Sequence, residues 1–368
     1  MKLEVRVGRD VNLAVTERYR QFSNALELSR ILEQFSFGRA VTKTVLFVAL
    51  ALVIFGLESF VAGGLSRALH FAGFAGWCGE RLGFDMALFE IVDTHVHFWN
   101  LDALEYFWLT SDQPEFLRQA FLPDQLEPER LNAGVKYGVY VQVGHDPREN
   151  DWILEITKPH PWIRGIVGWL DLTATDLAPQ IEQAKKDLRF KGVRHLTHAI
   201  EDANWLRRKD VNAGLEILAA NDLSLDLVLR PDQLELAFDV IAAHSNLSFI
   251  LDHMGNPPFT GDYDRWQENF SRLATLPNLV CKISGLLTGF QGATDLELLR
   301  KTIHFGFEHF QASRLMYGGD YPISALVAPY QRTLEIIWNA VGKLEEDDAR
   351  AFWFDNAMRI YKLNPFQK

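Results

Sequence analysis

Eight short apolar runs, separated by stretches with helical periodicity, constrain the fold of this chain more than any other feature of its sequence. Their starts are 24–46 residues apart, and most are rich in Val, Ile and Leu with little polar alternation. Strands covered by helices on both faces, as in a parallel sheet, have this composition. The sequence therefore predicts eight parallel strands. The runs are FEIVDTHVH (89–97), VKYGVYVQV (135–143), IRGIVGWLDL (163–172), FKGVRHL (190–196), LSLDLVL (223–229), LSFILDH (247–253), NLVCKISG (278–285) and RLMYGGD (314–320).

The segments between the runs carry the pattern of amphipathic helices. Val211, Leu215 and Leu218 fall on one stripe of a helix, and Pro231 stands where a first helical turn tolerates proline. Eight strand–helix units in about 280 residues match the usual size of a (β/α)8 TIM barrel. A doubly wound open sheet is the alternative, but it usually has fewer strands, and no glycine-rich nucleotide turn follows the first run. The sequence favours the α/β class with a (β/α)8 barrel.

Residues 1–85 precede this pattern and differ from it. A run of 22 residues, 44–65, is apolar except for Glu58, and a membrane-spanning helix needs about 20 mostly apolar residues. The run starts too far from the amino terminus for a simple secretory signal, which lies within roughly the first 15–30 residues. Three interpretations stay open: a membrane anchor, a buried or interfacial helix, and an upstream segment outside the working protein. We predict an amino-terminal extension at 1–85 and a barrel domain at 86–368.

The charge and the cysteine content of the chain limit its partners. The formal net charge is −11 at pH 7, and an acidic protein is not attracted to nucleic acid or to anionic membranes in general. The two cysteines, Cys78 and Cys281, cannot build a disulfide framework, which agrees with a reducing cytoplasm. These features favour a cytoplasmic protein with a small-molecule substrate, and they leave a homo-oligomer open.

Four polar residues end three of the predicted strands, where barrels place their catalytic groups. His95 and His97 end the first strand, and their spacing of two puts both imidazoles on one face. His253 ends the sixth strand, and Asp320 ends the eighth after two glycines that let the backbone approach the rim closely. Each residue alone has an ordinary explanation as a satisfied structural histidine, a helix cap or a turn former. Together they predict one site.

These residue types suit hydrolysis by an activated water. A carboxylate such as that of Asp320 can take a proton from water, and histidines or a bound divalent metal can polarise the carbonyl group under attack. Zinc and manganese both accept histidine and carboxylate ligands. No G-x-S-x-G motif occurs, and neither cysteine lies at a suitable strand end. His95, His97, His253 and Asp320 are the predicted catalytic residues and, where a metal is bound, its predicted ligands.

Other polar and aromatic residues near strand ends are candidates for substrate binding. An arginine there could hold a carboxylate or hydroxyl groups of a substrate, or it could pair with an acid at the rim. Tryptophan could form the wall of a sugar pocket or pack in the core. The candidates are Gln142 and His145 after strand two, Arg194 and His195 at the end of strand four, Arg230 after strand five, and Trp99 and Trp108 in the loop after strand one.

A series of motifs in this order resembles a known family. The motifs are DTHVHFW (93–99), YFWL (106–109), AFLP (120–123), VQV (141–143), GWLDL (168–172), GVRH (192–195), RP (230–231), LDHMGNPP (251–258), CKISG (281–285) and GGDYP (318–322). The series resembles the amidohydrolase-related family and, within it, the lactonase group that includes L-fuconolactonase, L-rhamnonolactonase and 2-pyrone-4,6-dicarboxylate lactonase. The resemblance covers about residues 90–364 and does not include residues 1–85.

The resemblance implies a TIM barrel that opens a lactone ring. It implies that Asp320 activates the water while the three histidines surround the lactone carbonyl, and that some members of the group need no metal. Strand four ends without a lysine that could bridge two metals, because Lys191 lies at its beginning. We therefore expect no cofactor or one divalent metal, zinc or manganese. Asn256 departs from the pattern, since sugar-lactonase relatives often have lysine at this position.

Two other functions stay open at this point. A decarboxylase of the same barrel class also combines an HxH pair with a later histidine and an aspartate in a metal site. A non-catalytic binding barrel tethered to a membrane is the second alternative, because of the apolar run at 44–65.

Overall fold

The computed structural model describes residues 90–289 and 296–363 of the 368-residue chain. Its centre is one eight-stranded sheet in which the strands follow each other in sequence order and each of the seven paired neighbours runs parallel. The predicted (β/α)8 barrel is confirmed. The strands are β1 (Ile91–Val96), β2 (Val135–Val141), β3 (Ile163–Gly168), β4 (Phe190–His195), β5 (Ser224–Leu227), β6 (Phe249–Leu251), β7 (Leu279–Ile283) and β8 (Leu315–Tyr317).

Helices connect the strands, as a right-handed parallel crossover requires. The predicted stripe of Val211, Leu215 and Leu218 is buried along one helix, which is why this segment is helical in the fold. The helices are α1 (Pro123–Asn132), α2 (Arg148–Ile156), α3 (Leu177–Ala184), α4 (Lys209–Ala220), α5 (Leu234–Ala243), α6 (Tyr263–Ala274), α7 (Leu286–Gly289), α8 (Leu296–Phe310), α9 (Tyr330–Val341), α10 (Glu346–Arg350) and α11 (Asn356–Ile360), with a π-helical turn at Ala351–Asp355.

The strands β1 and β8 meet through a short bridge beside the barrel mouth. Val96 and Tyr321 form a parallel bridge. The backbone N–H of Asp320 donates to the carbonyl of His95, and that of His97 donates to the carbonyl of Tyr321, both at 2.7 Å. The backbone of β1 thus holds the segment that carries Asp320.

Strand β1 contains a bulge between Asp93 and Val96, which includes His95 and directly precedes His97. Asp93 pairs with Gly138 and Val96 with Tyr140, so β1 advances three residues where β2 advances two. A bulge re-aims the side chains that follow it. Asp93, before the bulge, accepts a hydrogen bond from the hydroxyl of Tyr330 on α9 at 2.8 Å. Of the two predicted histidine ligands, His95 lies in the bulge and His97 follows it.

The carboxyl-terminal segment covers the opposite end of the barrel, at the amino ends of the strands. Lys191, the second residue of β4, donates to the carbonyl of Lys362 at 3.1 Å. The side chain of Leu363 lies against Gly165 in β3. This end is packed with apolar side chains, so the open end is the one that carries the polar residues. The packed cluster consists of Val92, Val139, Val141, Val167, Ile250, Val280, Met316, Ala357, Tyr361 and Leu363.

Within residues 90–289 and 296–363, no helix has both the length and the apolar character needed to cross a membrane. The apolar run at 44–65 and the boundary predicted at residue 85 lie outside these ranges. The predictions for residues 1–85 therefore stay predictions.

Candidate active site

His95, in the β1 bulge, and His97, just after it, converge with Asp320 at the carboxyl end of the barrel. The Nε2 atoms of His95 and His97 are 3.1 Å apart. Oδ1 of Asp320 lies 3.4 Å from Nε2 of His97 and 3.7 Å from Nε2 of His95. Nδ1 of His97, on the other edge of the ring, lies 2.7 Å from the carbonyl oxygen of Val141. Since a carbonyl only accepts, Nδ1 of His97 donates, and its Nε2 carries a lone pair toward Asp320.

Asp320 owes its position to the two glycines before it. Its φ of 55° lies in the left-handed region, which aspartate tolerates better than most residues with a side chain. A Cβ on Gly318 would come within 2.7 Å of Cβ of His95, and one on Gly319 within 2.4 Å of Oδ2 of Asp93. Only glycine therefore lets this segment lie so close to β1.

Asp320 is a carboxylate at neutral pH. Its burial alone would raise the pKa, but the neighbouring imidazole rings, first His253 and then His97, lower the pKa of Asp320 to about 2. A buried carboxylate at this position is a strong partner for a cation or for a donor group.

His253 reaches the site from a strained turn after β6. Residues 253–256 all have positive φ, between 53° and 69°, and such a run persists only where the surrounding structure holds it. Nδ1 of His253 lies 2.9 Å from Oγ of Ser284. Its ring centre is 4.7 Å from that of His95. Gly285, at φ 63°, lies directly against the ring, because a Cβ added there would be 2.4 Å from Nδ1.

The donor atoms of His95, His97 and Asp320 fit one divalent metal. Zinc ligands at about 2.0–2.2 Å in a tetrahedron lie about 3.3–3.6 Å from each other. The three measured separations are 3.1, 3.4 and 3.7 Å, so the atoms occupy the corners of a face of such a tetrahedron. The residue types and their spacing could therefore hold a zinc ion.

Arg194 and Gln142 lie next to this cluster and form reciprocal hydrogen bonds. Nη1 of Arg194 is 3.3 Å from Nε2 of His95, and Nη2 donates to the carbonyl of Gln142. In return, Nε2 of Gln142 donates to the carbonyl of Arg194 at 3.1 Å. The arginine therefore brings a positive charge to the edge of the site in a fixed orientation.

His145 and His195 belong to an aromatic group beyond Arg194. The His145 ring is stacked on Trp169, with centres 5.8 Å apart and an angle of 20°. The His195 ring lies 6.3 Å from His145 and 4.7 Å from Trp205. Burial lowers the pKa of His195 to about 4, although its bond to the Leu170 carbonyl opposes this shift. At neutral pH the His195 imidazole is therefore uncharged.

Several buried polar atoms near this group have no hydrogen-bond partner among the described residues. A buried polar atom without a partner loses its hydration and gains nothing in return. Such atoms at the mouth of a barrel are candidates for bonds to a ligand. They are Oε1 of Gln142, Nε2 of His145, Nε1 of Trp169 and Nδ1 of His198.

The remaining candidates have contacts outside the cluster of His95, His97 and Asp320. Trp99 is fully buried and donates to the carbonyl of Gln119 at 2.8 Å, which agrees with the core-packing interpretation. Trp108 donates to the carbonyl of Val143 at 2.9 Å and supports the loop after β2. Arg230 pairs with Asp232, Nε to Oδ1, at 3.0 Å. None of these three contacts reaches His95, His97 or Asp320.

Sequence reasoning missed a buried charged group beneath His95. Lys282 of β7, Asp226 of β5 and Asp252 after β6 have fully buried side chains. Nζ of Lys282 lies 2.6 Å from Oδ2 of Asp226 and 3.0 Å from Oδ1 of Asp252. Charged residues inside apolar strand runs were the available signal, because Lys and Asp are almost never fully buried without a partner.

The depressed pKa of His195 predicts a pH-dependent stability difference. The unfolded histidine titrates near 6.5 and the folded one near 4. The unfolded state therefore binds more protons between these values, and this residue lowers the free energy of unfolding as pH falls through that window. Relative to His195→Gln, which keeps a donor for the Leu170 carbonyl, the wild-type protein should lose about 3 kcal/mol between pH 8 and pH 4. Urea unfolding of both proteins across this pH range checks the prediction. A difference in free energy of unfolding that does not change with pH would contradict it.

An eight-stranded barrel whose mouth carries a cluster of histidines and a carboxylate defines the class of this protein, a TIM-barrel hydrolase. Residues 92–363 match the Amidohydrolase family model, and the chain belongs to this family. The match begins at the second residue of β1 and includes every residue of the site.

Curated proteins and solved structures agree with this assignment. The chain is 30% identical over 290 residues to an L-fucono-1,5-lactonase of Burkholderia multivorans and 28% identical over 278 residues to one of Burkholderia ambifaria. Each alignment covers 74% of this chain and 96% of the relative. An amidohydrolase from Burkholderia multivorans, solved with bound zinc, is similar with a TM-score of 0.71 and 29% identity, covering 75% of this chain and all of that one.

Proposed function

We propose that this protein is a lactonase that opens a small sugar-derived lactone by attack of water on the ring carbonyl. The observation that supports it most is the convergence of Asp320 with the Nε2 atoms of His95 and His97 within 3.7 Å. The relatives named L-fucono-1,5-lactonase favour the same reaction, because they align over 96% of their length. A decarboxylase with the same ligands is the less favoured alternative.

In this mechanism Asp320 is the base. Its carboxylate accepts a proton from a water molecule while the water oxygen bonds to the lactone carbonyl carbon. Arg194, beside His95, and the ring of His253 face the carbonyl oxygen as negative charge develops on it. The bond between the acyl carbon and the ring oxygen then breaks, and the ring oxygen takes the proton back from Asp320. The product is a hydroxy acid.

A metal would assist this reaction at the three donor atoms. A zinc ion held by His95, His97 and Asp320 would polarise the carbonyl and lower the pKa of a water molecule. The low pKa of Asp320, about 2, makes its carboxylate a weak base toward free water, so the residue needs such help or a precisely placed water. The carboxylate oxygen that is not a ligand stays available for the proton.

The substrate side of the mouth favours a neutral, hydroxylated ring. The unpartnered atoms on Gln142, His145, Trp169 and His198 are donors and acceptors that can bond hydroxyl groups. Burial lowers the pKa of His195 and of His198 to about 4, so these imidazoles add no positive charge for a carboxylate at neutral pH. Trp169 and the stacked His145 offer flat faces of the kind that sugar rings pack against.

A substrate panel tests this proposal. Purified protein should release acid from at least one aldonolactone, and it should prefer aldonolactones to a dicarboxylated pyrone lactone. Acid production is followed with a pH indicator, CO2 is measured in parallel, and bound metal is quantified in the same sample. Release of CO2 without lactone hydrolysis would favour the decarboxylase and refute the lactonase.

The cytoplasmic location, the small-molecule partner and the role of residues 1–85 belong to the same proposal, which leaves a homo-oligomer and membrane association through residues 44–65 open. A chain that begins at Met86 should keep lactone hydrolysis, since the family match starts at residue 92. Loss of hydrolysis in a folded protein of this length would show that residues 1–85 belong to the working enzyme.

A further inference from the structure

Both edges of the His95 ring are occupied, and the inner edge faces the buried charged group. Nδ1 of His95 lies 3.3 Å from Nζ of Lys282 and 3.4 Å from Oδ1 of Asp252. An ammonium only donates hydrogen bonds, whereas a carboxylate only accepts them. The same ring nitrogen therefore has a donor and an acceptor at nearly equal distances.

His95 is a neutral ring in this environment. The ring lies between two cationic groups, with Nζ of Lys282 3.3 Å from its Nδ1 and Nη1 of Arg194 3.3 Å from its Nε2, and both disfavour a charged imidazolium. A neutral imidazole carries one proton, on Nδ1 or on Nε2. With the proton on Nδ1 the ring donates to Asp252; with the proton on Nε2 the ring accepts from Lys282.

The outer edge of His95 decides between the two forms. Nε2 of His97 carries a lone pair, because its Nδ1 donates to the Val141 carbonyl, and it lies 3.1 Å from Nε2 of His95. Without a cation between them, this lone pair needs a proton from His95. Nη1 of Arg194, 3.3 Å from Nε2 of His95, can donate only to the form that carries its proton on Nδ1. In that form the lone pairs of the two Nε2 atoms face each other, and their repulsion opposes it.

A metal at the same place requires the opposite arrangement. Nε2 of His95 can be a metal ligand only when it carries no proton, so the proton then lies on Nδ1. Histidines that bind metals usually donate their other N–H to a carboxylate, which orients the ring. Asp252 is in place for this bond.

We propose that Lys282 and Asp252 are positioning residues that let His95 carry its proton on Nε2 without a metal and on Nδ1 with one. This rests on the metal site of the proposed function. Asp226 completes the device by accepting from Lys282 at 2.6 Å and from the hydroxyl of Tyr361 at 2.6 Å. This positioning role explains why Lys282, Asp226 and Asp252 are buried here, since apolar residues of similar size would often give equal stability.

Nitrogen NMR of the histidine rings tests the proposal on the unaltered protein. In metal-free protein the His95 resonances, assigned by comparison with His95→Gln, should show the proton on Nε2. After addition of Zn²⁺ they should show it on Nδ1. Bound zinc with an unchanged proton position would overturn this proposal alone. Failure of zinc to bind would overturn the metal site as well, and lactone hydrolysis is measured separately.

For three variants we predict whether the zinc affinity rises, falls or stays the same, and calorimetry measures it. The double variant Lys282→Met with Asp226→Asn removes one positive and one negative charge and leaves Asp252 as the partner of Nδ1. It should bind Zn²⁺ about tenfold more tightly, because His95 no longer has to move its proton. Asp252→Asn should bind Zn²⁺ about 10–100-fold more weakly.

The matched control is Asp226→Asn alone, which keeps both partners of Nδ1. Its zinc affinity should stay within about threefold of wild type, since Lys282 still pairs with Asp252 at 3.0 Å. Weaker zinc binding by the double variant, or equal losses in all three proteins, would overturn the proposal.

Discussion

Replacing Asp320 by asparagine should lower kcat for lactone hydrolysis by about 10²–10⁴-fold, the usual contribution of a positioned base. The amide has nearly the same shape, but it cannot take a proton from water, and it removes the negative charge that His97 faces at 3.4 Å. The barrel should remain folded, because the backbone N–H of Asp320 still donates to the carbonyl of His95. Steady-state rates with the best aldonolactone and thermal unfolding of both proteins measure the two effects.

Asp239→Asn is the control for this substitution. Asp239 lies on α5 with its side chain 57% exposed and pairs only with arginines at the surface. Its rate should equal that of wild type, since exposed ion pairs contribute little. A nearly normal rate for Asp320→Asn would remove Asp320 from the role of base.

The substitution Gly285→Ala should lower kcat by about 100-fold through His253. The new Cβ would lie 2.4 Å from Nδ1 of the imidazole, so the ring must move and lose its bond to Ser284. A displacement of about 1 Å at a catalytic group can cost 10²-fold in rate. Rates and unfolding free energies are compared with those of wild type.

Gly134→Ala separates this effect from backbone strain. Gly134 also has a positive φ, 75°, but an added Cβ there meets nothing within 4 Å. Both variants carry the left-handed cost of about 1–2 kcal/mol, and Gly285→Ala adds the clash with the His253 ring, so Gly285→Ala should lose more stability. Only Gly285→Ala should lose activity; equal rates would show that His253 tolerates the new side chain or takes no part.

Much of the barrel could be predicted because its determinants are local. Apolar runs without alternation indicate strands covered on both faces, and all eight strands lie inside their predicted runs. The carboxyl ends of parallel strands share one end of a barrel, which is why His95, His97 and Asp320 could be predicted to meet although 225 residues separate the first from the last.

Other parts of the site depend on contacts that no local pattern contains. Trp99 could line a pocket or pack in the core, and only its burial distinguishes the two. The bulge in β1 appears only in its pairing with β2. Lys282 and Asp226 lie 56 residues apart, and their ion pair can be predicted only when both side chains are known to point into the barrel interior.

The seam between β1 and β8 joins groups that are synthesised far apart in time. Asp93 emerges from the ribosome early, yet the groups that it binds, the N–H of Gly319 and the hydroxyl of Tyr330, emerge 226 and 237 residues later. A nascent chain that ends before Asp320 lacks the base of the proposed mechanism, however well its earlier strands have paired. Under that mechanism, hydrolysis therefore begins only after the segment that follows β8 has been synthesised and has closed against β1.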